Sequence, residues 1–333
     1  MCHNHRMNHL TPFLILGACG MLGRATASLL GEKATALTFA DLDITDPVAV
    51  AAALSRHRAA TLINCAAATD VDRCQTDHAY ANAGNVDGPQ CLAEACAKRG
   101  IRMVHVSTDF VFDGTKRAPY TEEDEPAPLG YYGLSKLRGE AAVRELLPEA
   151  LVVRTSWVYG PVGPTSSNFP LKVLEWTRRP GPLRVAVDQL GSPTYAPHLA
   201  EGILELVRAG ATGLFHLAGE GCASRWEFAR EVLAAPRLTA TDFAVEVLPA
   251  HAADFPAPAP RPLFSCLDCG KAARLGVTLP PWQDGVALYL AGLFREEDPA
   301  VDTWGENTPA GCAPARGAPT ADPGEMKGKG TTA

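Results

Sequence analysis

The chain reads as an α/β protein, a doubly wound parallel sheet with a smaller C-terminal lobe. Three observations predict this. Short β-rich runs alternate with amphipathic or Ala-rich segments through the first half. A glycine-spaced turn, Gly17-Ala18-Cys19-Gly20-Met21-Leu22-Gly23, follows the first of those runs. Beyond Gly160 the alternation gives way to mixed helices, short strands and proline-rich loops such as Pro256-Ala257-Pro258-Ala259-Pro260.

Taken in order, residues 13–16 form the first strand, and a helix follows the glycine turn to about Leu30. A second strand is expected at 36–39. Residues 47–58 read as a helix, opened by Asp46 as a cap with Pro47 at the first helical position. The third strand is 61–64. A helix fills much of 77–98, started or kinked at Gly88-Pro89 because proline cannot continue the hydrogen-bond ladder. The fourth strand is 102–107, and 151–154 is a further apolar strand. No internal repeat is visible.

The 333 residues and 35.2 kDa suit one large or two modest domains, and 47% hydrophobic content supports a sizeable core. Residues 1–11 read as a disordered N-terminus. Residues 296–333 carry five prolines among Gly, Ala and Thr with almost no aliphatic periodicity, and read as a disordered tail. A net charge of −7 argues against nucleic-acid and anionic-membrane partners, while allowing a local basic pocket for a phosphorylated small molecule. No apolar run approaches the roughly 18 residues of a membrane span. The polar start, with His3, His5 and His9, does not read as a secretory signal. Most of the 10 cysteines lie in apolar runs, such as Cys65, Cys91 and Cys96, which suits buried thiols in a reducing cytoplasm. Cys266 and Cys269 form a lone C-x-x-C without a second pair, so no metal site is expected.

The glycine turn has a chemical reading. Gly17 permits the tight turn, Gly20 lets backbone approach a pyrophosphate, and Gly23 lets the helix pack on the strand. The following helix N-terminus offers N–H groups and partial positive charge to phosphate. Lying between a strand and a helix, the turn points to dinucleotide binding. No acidic residue closes the second strand to take the adenosine ribose; Thr38 and Phe39 stand there. Arg24 is the basic residue near the turn. NADH and NADPH both remain open, with the missing carboxylate favouring NADPH. Asp43 is placed either on the adenine amino group or in a cap of the Asp43-Ile44-Thr45-Asp46 turn.

Tyr132 precedes Lys136 by four residues, about one helical turn, so both face the same way. A nearby lysine cation is expected to favour the phenolate and lower the tyrosine pKa from its usual 10 or so. Upstream, Val104-His105-Val106-Ser107-Thr108-Asp109 ends a strand in hydroxyl residues. The carboxyl end of a parallel strand faces the binding crevice, where a hydroxyl can hold a substrate carbonyl.

The glycine turn, the strand-ending Ser107-Thr108 and the Tyr132/Lys136 pair resemble the extended short-chain dehydrogenase/reductase superfamily. Arg154-Thr155-Ser156-Trp157-Val158-Tyr159-Gly160, Asn168-Phe169 and Asp188-Gln189-Leu190-Gly191-Ser192-Pro193-Thr194 narrow the likeness to the dTDP-4-dehydrorhamnose reductase family, from about Phe13 to Phe294. The resemblance implies a Rossmann-type NAD(P)-binding domain at 12–160. A substrate-binding lobe at 161–295 would be partly interleaved with it. By the same resemblance Tyr132 is the general acid, Lys136 its electrostatic partner and ribose ligand, and Thr108 the carbonyl donor. Gly17, Gly20, Met21, Leu22 and Gly23 would line the pyrophosphate, Thr38, Asp43 and Ile44 the adenosine, and Ala67, Ala68 and Thr69 the bridge to the nicotinamide. Thr108, Asp109, Trp157 and Asn168 would touch the sugar. The implied reaction is reduction of the C4 ketone of dTDP-4-dehydro-L-rhamnose by NADPH or NADH, in the cytoplasm. The implied partner is a nucleotide sugar, and a homodimer is open to such an enzyme. Three rivals are a 4-ketoreductase for another deoxysugar nucleotide, an NAD-dependent epimerase or dehydratase, and a non-catalytic subunit like the methionine adenosyltransferase regulatory subunit.

Overall fold

The structure, a computed structural model, describes residues 11–161, 168–234 and 245–293. The expected disorder at 1–11 and 296–333 concerns residues outside this set, Thr11 aside. Six parallel strands form the central sheet. These are β1 (Phe13–Leu16), β2 (Ala34–Leu37), β3 (Thr61–Asn64), β4 (Arg102–Thr108), β5 (Leu151–Thr155) and, from the C-terminal half, β10 (Gly213–His216). Their spatial order is β2-β1-β3-β4-β5-β10, so the winding reverses between β1 and β3. Ligand crevices lie outside the carboxyl ends of strands at such a reversal.

Every residue of β1 and β3 is buried, as strands covered on both faces must be. Alternate residues feed two cores. Ile15, Ile63 and Val153 pack with Leu22 of α1 (Met21–Leu30) and with Leu199 and Ile203 of α8 (Ala196–Arg208). Leu14, Leu62 and Val152 pack on the other face with α2 (Pro47–Arg56), α5 (Gly88–Ala97) and α6 (Tyr131–Leu146) through Val50, Leu92 and Val143. This is the two-residue period of a strand expressed as two layers of helices.

Three local expectations need correction. The second strand spans 34–37 rather than 36–39. Thr38 leaves the strand because its N–H and hydroxyl both donate to Asp41 Oδ2 (2.8 and 2.7 Å), closing a turn that leaves Phe39 83% exposed. The helix opened by Asp46 stops at Arg56, and Arg58 adopts a left-handed φ of 48°. The region 77–98 starts earlier, as α3 (Val71–Thr76) capped by Asp70, then continues as α4 (His78–Asn82) after a break at Asp77. A widened π turn at Ala83–Asp87 then leads into α5 and accommodates Pro89, which has no N–H to donate.

The smaller lobe pairs β6 (Val158–Tyr159) with β9 (Thr194–Tyr195), β7 (Leu183–Ala186) with β12 (Val247–Ala250), and β8 (Leu190–Gly191) with β11 (Ala223–Ser224). Helices α7 (Phe169–Trp176), α9 (Arg225–Leu233) and α11 (Trp282–Leu293) surround an aromatic core of Tyr159, Phe228, Trp282 and Tyr289. A short helix, α10 (Gly270–Ala273), packs beside the sheet. Cys74 and Cys96 are buried thiols, but Cys266 forms a disulfide with Cys222 (Cα–Cα 5.7 Å), not with its C-x-x-C neighbour Cys269. No helix of the described residues is long and apolar enough to cross a membrane. Among them no cluster of three or more His, Cys, Asp or Glu could hold a metal.

Candidate active site

The first part of the site is the turn after β1. Gly17 has φ 77°, and a Cβ there would lie 2.6 Å from the Ala66 nitrogen; a Cβ at Gly23 would lie 2.3 Å from the Gly17 carbonyl. Only glycine fits either place. Gly20 caps α1 in extended conformation, and its N–H donates to the Gly17 carbonyl at 3.0 Å. No side chain caps this helix end and its first turn holds no acid, so the first-turn N–H groups have no side-chain acceptor. A cradle that side chains would fill, at an uncapped helix start, fits a dinucleotide pyrophosphate.

The adenosine end is less simple than its sequence. Asp41 brings a carboxylate to the end of β2 by folding back onto Thr38, whose N–H and hydroxyl hold its pKa low. The absence of an acid at positions 38 and 39 therefore does not leave this end free of negative charge. Asp43 Oδ1 accepts from the Thr45 N–H and hydroxyl (2.9 and 2.8 Å), which is the cap geometry. Ile44 is buried beside Gly88, and Arg24 is half-buried on α1. Ala67, Ala68 and Thr69 leave the end of β3. The Asn85 amide grips Ala68 at both its N–H (2.9 Å) and carbonyl (3.1 Å), and donates to Ser135 Oγ of α6 at 3.0 Å. The strand-end segment is thus pinned to the helix that carries Tyr132 and Lys136.

Thr108, at the end of β4, stands beside the Tyr132 phenol. Both line a cavity of ≈ 170 Å³ together with Asp109, Trp157 and Arg225. Burial drives the Tyr132 pKa above its ordinary value, and the neighbouring Thr108 hydroxyl offsets this in part. The expected lowering by lysine is not what the fold produces. Lys136 is buried, with Nζ donating to the Val106 carbonyl at 2.7 Å, and burial pulls its own pKa down to about 8 despite the nearby Glu140. One of the lysine's three donors goes to a backbone carbonyl, and burial keeps the phenol protonated at neutral pH.

Asp109 is 2% exposed and accepts from Ser265 (2.5 Å), Ser156 (2.9 Å) and Thr108 (3.1 Å). Burial raises its pKa and the three hydroxyls counter that shift. Trp157 has a left-handed φ of 43°. Its indole lies over Gly191, where a Cβ would come within 2.4 Å, and the Arg225 guanidinium stacks 3.4 Å from the ring centroid. Asn168 is fully buried, its amide donating to the Gly160 carbonyl (2.6 Å) and the Tyr289 hydroxyl (3.3 Å). It lines neither this cavity nor the larger one beside it.

A dinucleotide cradle and a Thr/Tyr/Lys set thus meet at one sheet edge, with a second lobe closing over them. The family model described as RmlD substrate binding domain matches residues 11–294. This chain belongs to the RmlD family. It is 44% identical over 291 residues to the dTDP-4-dehydrorhamnose reductase of Mycobacterium tuberculosis (strain CDC 1551 / Oshkosh), covering 84% of this chain and 92% of the relative. It is 41% identical to a probable dTDP-4,6-dihydroxy-2-methyloxan-3-one 4-ketoreductase of Streptomyces antibioticus, covering 86% and 97%. The solved dTDP-4-dehydrorhamnose reductase of Bacillus anthracis, in complex with NADP, superposes with TM-score 0.79 at 31% identity, covering 85% of this chain and 99% of that one. The Rossmann-type fold expected from the sequence is the fold of this RmlD chain.

Several residues that build the RmlD site escaped the sequence reading. Glu140 accepts three hydrogen bonds from Arg154 (Nε to both carboxylate oxygens at 2.9 and 3.2 Å, Nη2 2.7 Å) and one from Ser107 (2.5 Å), all buried. An arginine inside an apolar strand was the available signal, since such a charge needs a buried partner. Asn85, Ser265 and Arg225 gave no comparable signal, because their partners lie 17 to 156 positions away.

Proposed function

We propose that this protein reduces the C4 ketone of dTDP-4-dehydro-L-rhamnose to dTDP-L-rhamnose, with NADH or NADPH as reductant, in the cytoplasm. The observation that carries the reading is the Thr108–Tyr132 pair at the mouth of the dinucleotide cradle, in a chain matched to the RmlD family over residues 11–294. The substrate is a nucleotide sugar; neither nucleic acid nor membrane is a proposed partner, and a homodimer is to be tested by size-exclusion chromatography.

When bound, the reduced nicotinamide supplies the hydride. Gly17, Gly20, Met21, Leu22 and Gly23 hold its pyrophosphate, Ala67, Ala68 and Thr69 flank its path, and Lys136 holds the ribose. Thr38, Asp43 and Ile44 form the adenosine end, where the Asp41 charge favours NADH over the 2′-phosphate of NADPH. Thr108 donates to the substrate carbonyl oxygen. Tyr132, kept protonated by burial, gives its proton to the alkoxide as charge develops there. A phenol that stays protonated at neutral pH is suited to giving a proton, the direction a reductase needs. Asp109 holds Thr108 and Ser156 and, with Trp157, forms the sugar wall, while Asn168 supports it from behind.

The test is oxidation of NADH and NADPH with a panel of dTDP-4-keto sugars. Turnover with the rhamnose precursor and release of oxidised cofactor support the reading. Preference for another 4-keto sugar moves the substrate to a different deoxysugar. Retained cofactor with sugar rearrangement makes the protein an epimerase or dehydratase instead.

A further inference from the structure

The cysteines divide in a way the site does not explain. Among the described residues Cys65, Cys74, Cys91, Cys96 and Cys269 are free thiols, as a reducing compartment requires, while Cys222 and Cys266 are bonded to each other. Their Cα atoms stand 5.7 Å apart, in the usual range for a bridge, and 44 positions separate them in the chain. In a reducing compartment such a bond is characteristically transient and redox-sensing rather than a framework link. The two ends differ in access. Cys266 is 1% exposed, whereas Cys222 is an exposed residue, so the bond is approached from the Cys222 side.

The bridge joins two segments that reach the catalytic cavity. On one, Cys266 follows Ser265, whose hydroxyl donates to Asp109 Oδ2 at 2.5 Å, and Asp109 Oδ1 accepts from Thr108 at 3.1 Å. On the other, Cys222 lies three residues before Arg225, which stands on the wall of the catalytic cavity and of a larger one of ≈ 1350 Å³ that Lys172 and Arg261 also line. Both segments hang on β8. The Ser265 N–H donates to the Leu190 carbonyl at 2.9 Å, and Ala223 pairs with Gly191. Ser192, the next residue, donates to the Gly221 carbonyl at 3.1 Å and accepts from the Leu267 N–H at 3.3 Å. None of these bonds involves sulfur, so loss of the bridge loosens the two segments without unfolding them. What goes is the covalent stop that keeps Ser265 on Asp109, and with it part of the hold that the carboxylate passes to Thr108.

We propose that Cys222 and Cys266 are a site of reversible thiol–disulfide exchange with a low-molecular-weight thiol, and that the bridged form holds Asp109, and through it Thr108, for turnover. An external thiolate attacks the Cys222 sulfur. The S–S bond breaks, and Cys266 leaves with the bond's electron pair and takes up a proton. A second small thiol displaces the first from Cys222, so two small thiols are oxidised to one disulfide as the bridge is reduced to two cysteine thiols. Cys269, three residues beyond Cys266, does not compete for it. Burial pushes the Cys269 thiol up to about 12, which leaves almost no thiolate at neutral pH. Ser265 acts here as a positioning residue, through Asp109. The effect on turnover rests on the reductase reading; the exchange chemistry does not.

The test incubates the folded full chain with dithiothreitol or with oxidised glutathione, then alkylates it under denaturing conditions and maps the cysteines by mass spectrometry. Cys222 and Cys266 should be bridged after oxidation and both alkylated after reduction. Hydrogen exchange in peptides covering 107–110 and 263–267 should be at least about fivefold faster in the reduced form. Reduction should lower kcat for the 4-keto sugar about 3- to 10-fold, the scale of a small misplacement, and leave the KM for reduced cofactor within about twofold. Reoxidation should restore kcat. Cys222→Ser, checked for folding by circular dichroism, should stay at the reduced level in both conditions, and Cys269→Ser should respond as the wild type does. A pair that stays unbridged after oxidation, or bridged after reduction of the folded chain, overturns the exchange site. Equal exchange rates in the two forms, equal turnover in an active chain, or a redox response that persists in Cys222→Ser overturns the hold on Asp109. A chain that turns over no 4-keto sugar but shows the bridge-dependent change in hydrogen exchange overturns the reductase reading and leaves this site standing.

Discussion

Thr108, Tyr132 and Lys136 come from one strand end and one helix, whereas Trp157, Lys172, Arg225 and Arg261 come from a strand-end turn, two lobe helices and a proline-rich loop. On the first wall the groups are held: Thr108 to Asp109, Lys136 to the Val106 carbonyl, and Ser107 at the strand end to the Glu140–Arg154 pair. On the second wall Arg261 pairs with Asp72 at 2.9 Å, whereas Arg225 stacks on Trp157 and its side chain hydrogen-bonds a glutamine oxygen at 3.4 Å, with the Asp109 charge nearby. Chemistry needs reacting atoms fixed to within a fraction of an ångström, and regular elements supply that. Recognition of a charged substrate needs unspent charge, which a fully satisfied network cannot provide. The division predicts that damage to the first wall lowers turnover, and damage to the second lowers affinity.

The largest expected effect is on the first wall. Tyr132→Phe removes the proton donor and should lower kcat by about 10²- to 10⁴-fold, the usual worth of a positioned acid. Binding of dTDP should stay within about twofold of wild type. Steady-state oxidation of reduced cofactor together with calorimetry reads both quantities. Near-wild-type turnover sinks the assignment of Tyr132, and a matching loss of dTDP affinity erases the division between the walls.

Glu140 should matter almost as much, but through stability. Glu140→Ala leaves the Arg154 guanidinium buried without its carboxylate, and Ser107 without its acceptor. Breaking a buried pair from one side costs about 3–5 kcal/mol. Urea unfolding at neutral pH measures this, and a shift below about 1 kcal/mol would show that the pair contributes little net stability. A cost of the expected size would confirm that this wall is held rigid from beneath.

Lys136 gives the wall a pH signature. Burial lowers its folded pKa from 10.5 to about 8, so its charge is complete at neutral pH and disappears as the pH rises through 8. The kcat/KM should then fall by up to about tenfold per pH unit above 8. Stability runs the other way. The native lysine releases its proton near 8 and the unfolded one near 10.5, so the cost of burying the charge fades across that window. Lys136→Arg should retain the charge and move the alkaline limb upward. An unchanged limb in that variant's residual activity would assign the titration to another group.

The same contrast explains what the sequence made legible. Gly17, Gly20 and Gly23 sit at fixed spacing between a strand and a helix, and Tyr132 and Lys136 are one turn apart, so local geometry alone brings their chemistry together. The sheet was legible for the same reason, since β1 is an unbroken apolar run and β3 centres on Leu62 and Ile63. The end of β2 was misplaced because Thr38 is drawn out of the strand by a carboxylate three residues on. The phenol's pKa was misjudged because spacing shows that Lys136 lies near, but not that its Nζ points to the Val106 carbonyl. Arg225 and Arg261 meet Trp157 and Asp72 only through the tertiary fold, across gaps that no local periodicity bridges.

The smallest expected effect concerns acid. His105 on β4 and His216 on β10 are buried without exposure, and burial keeps both neutral, His216 down to about 4. The Arg154 charge pushes His216 further the same way, and the Lys136 charge does so for His105. Their folded pKa values lie below the unfolded value near 6.5, so the unfolded chain binds protons that the native one refuses. Stability should therefore hold above about pH 6.5 and fall below it, by up to about 1.4 kcal/mol per pH unit for each histidine. His216→Gln keeps a polar side chain beside the Tyr120 carbonyl while removing one titration, so it should reduce the slope between pH 6 and 4 by about half. Urea midpoints across that range measure it. Since both histidines lie in the sheet and none lines the larger cavity, dTDP affinity should not follow this limb. If affinity and stability fell together below pH 6.5, the sheet edge and the lobe wall would act as one titrating unit.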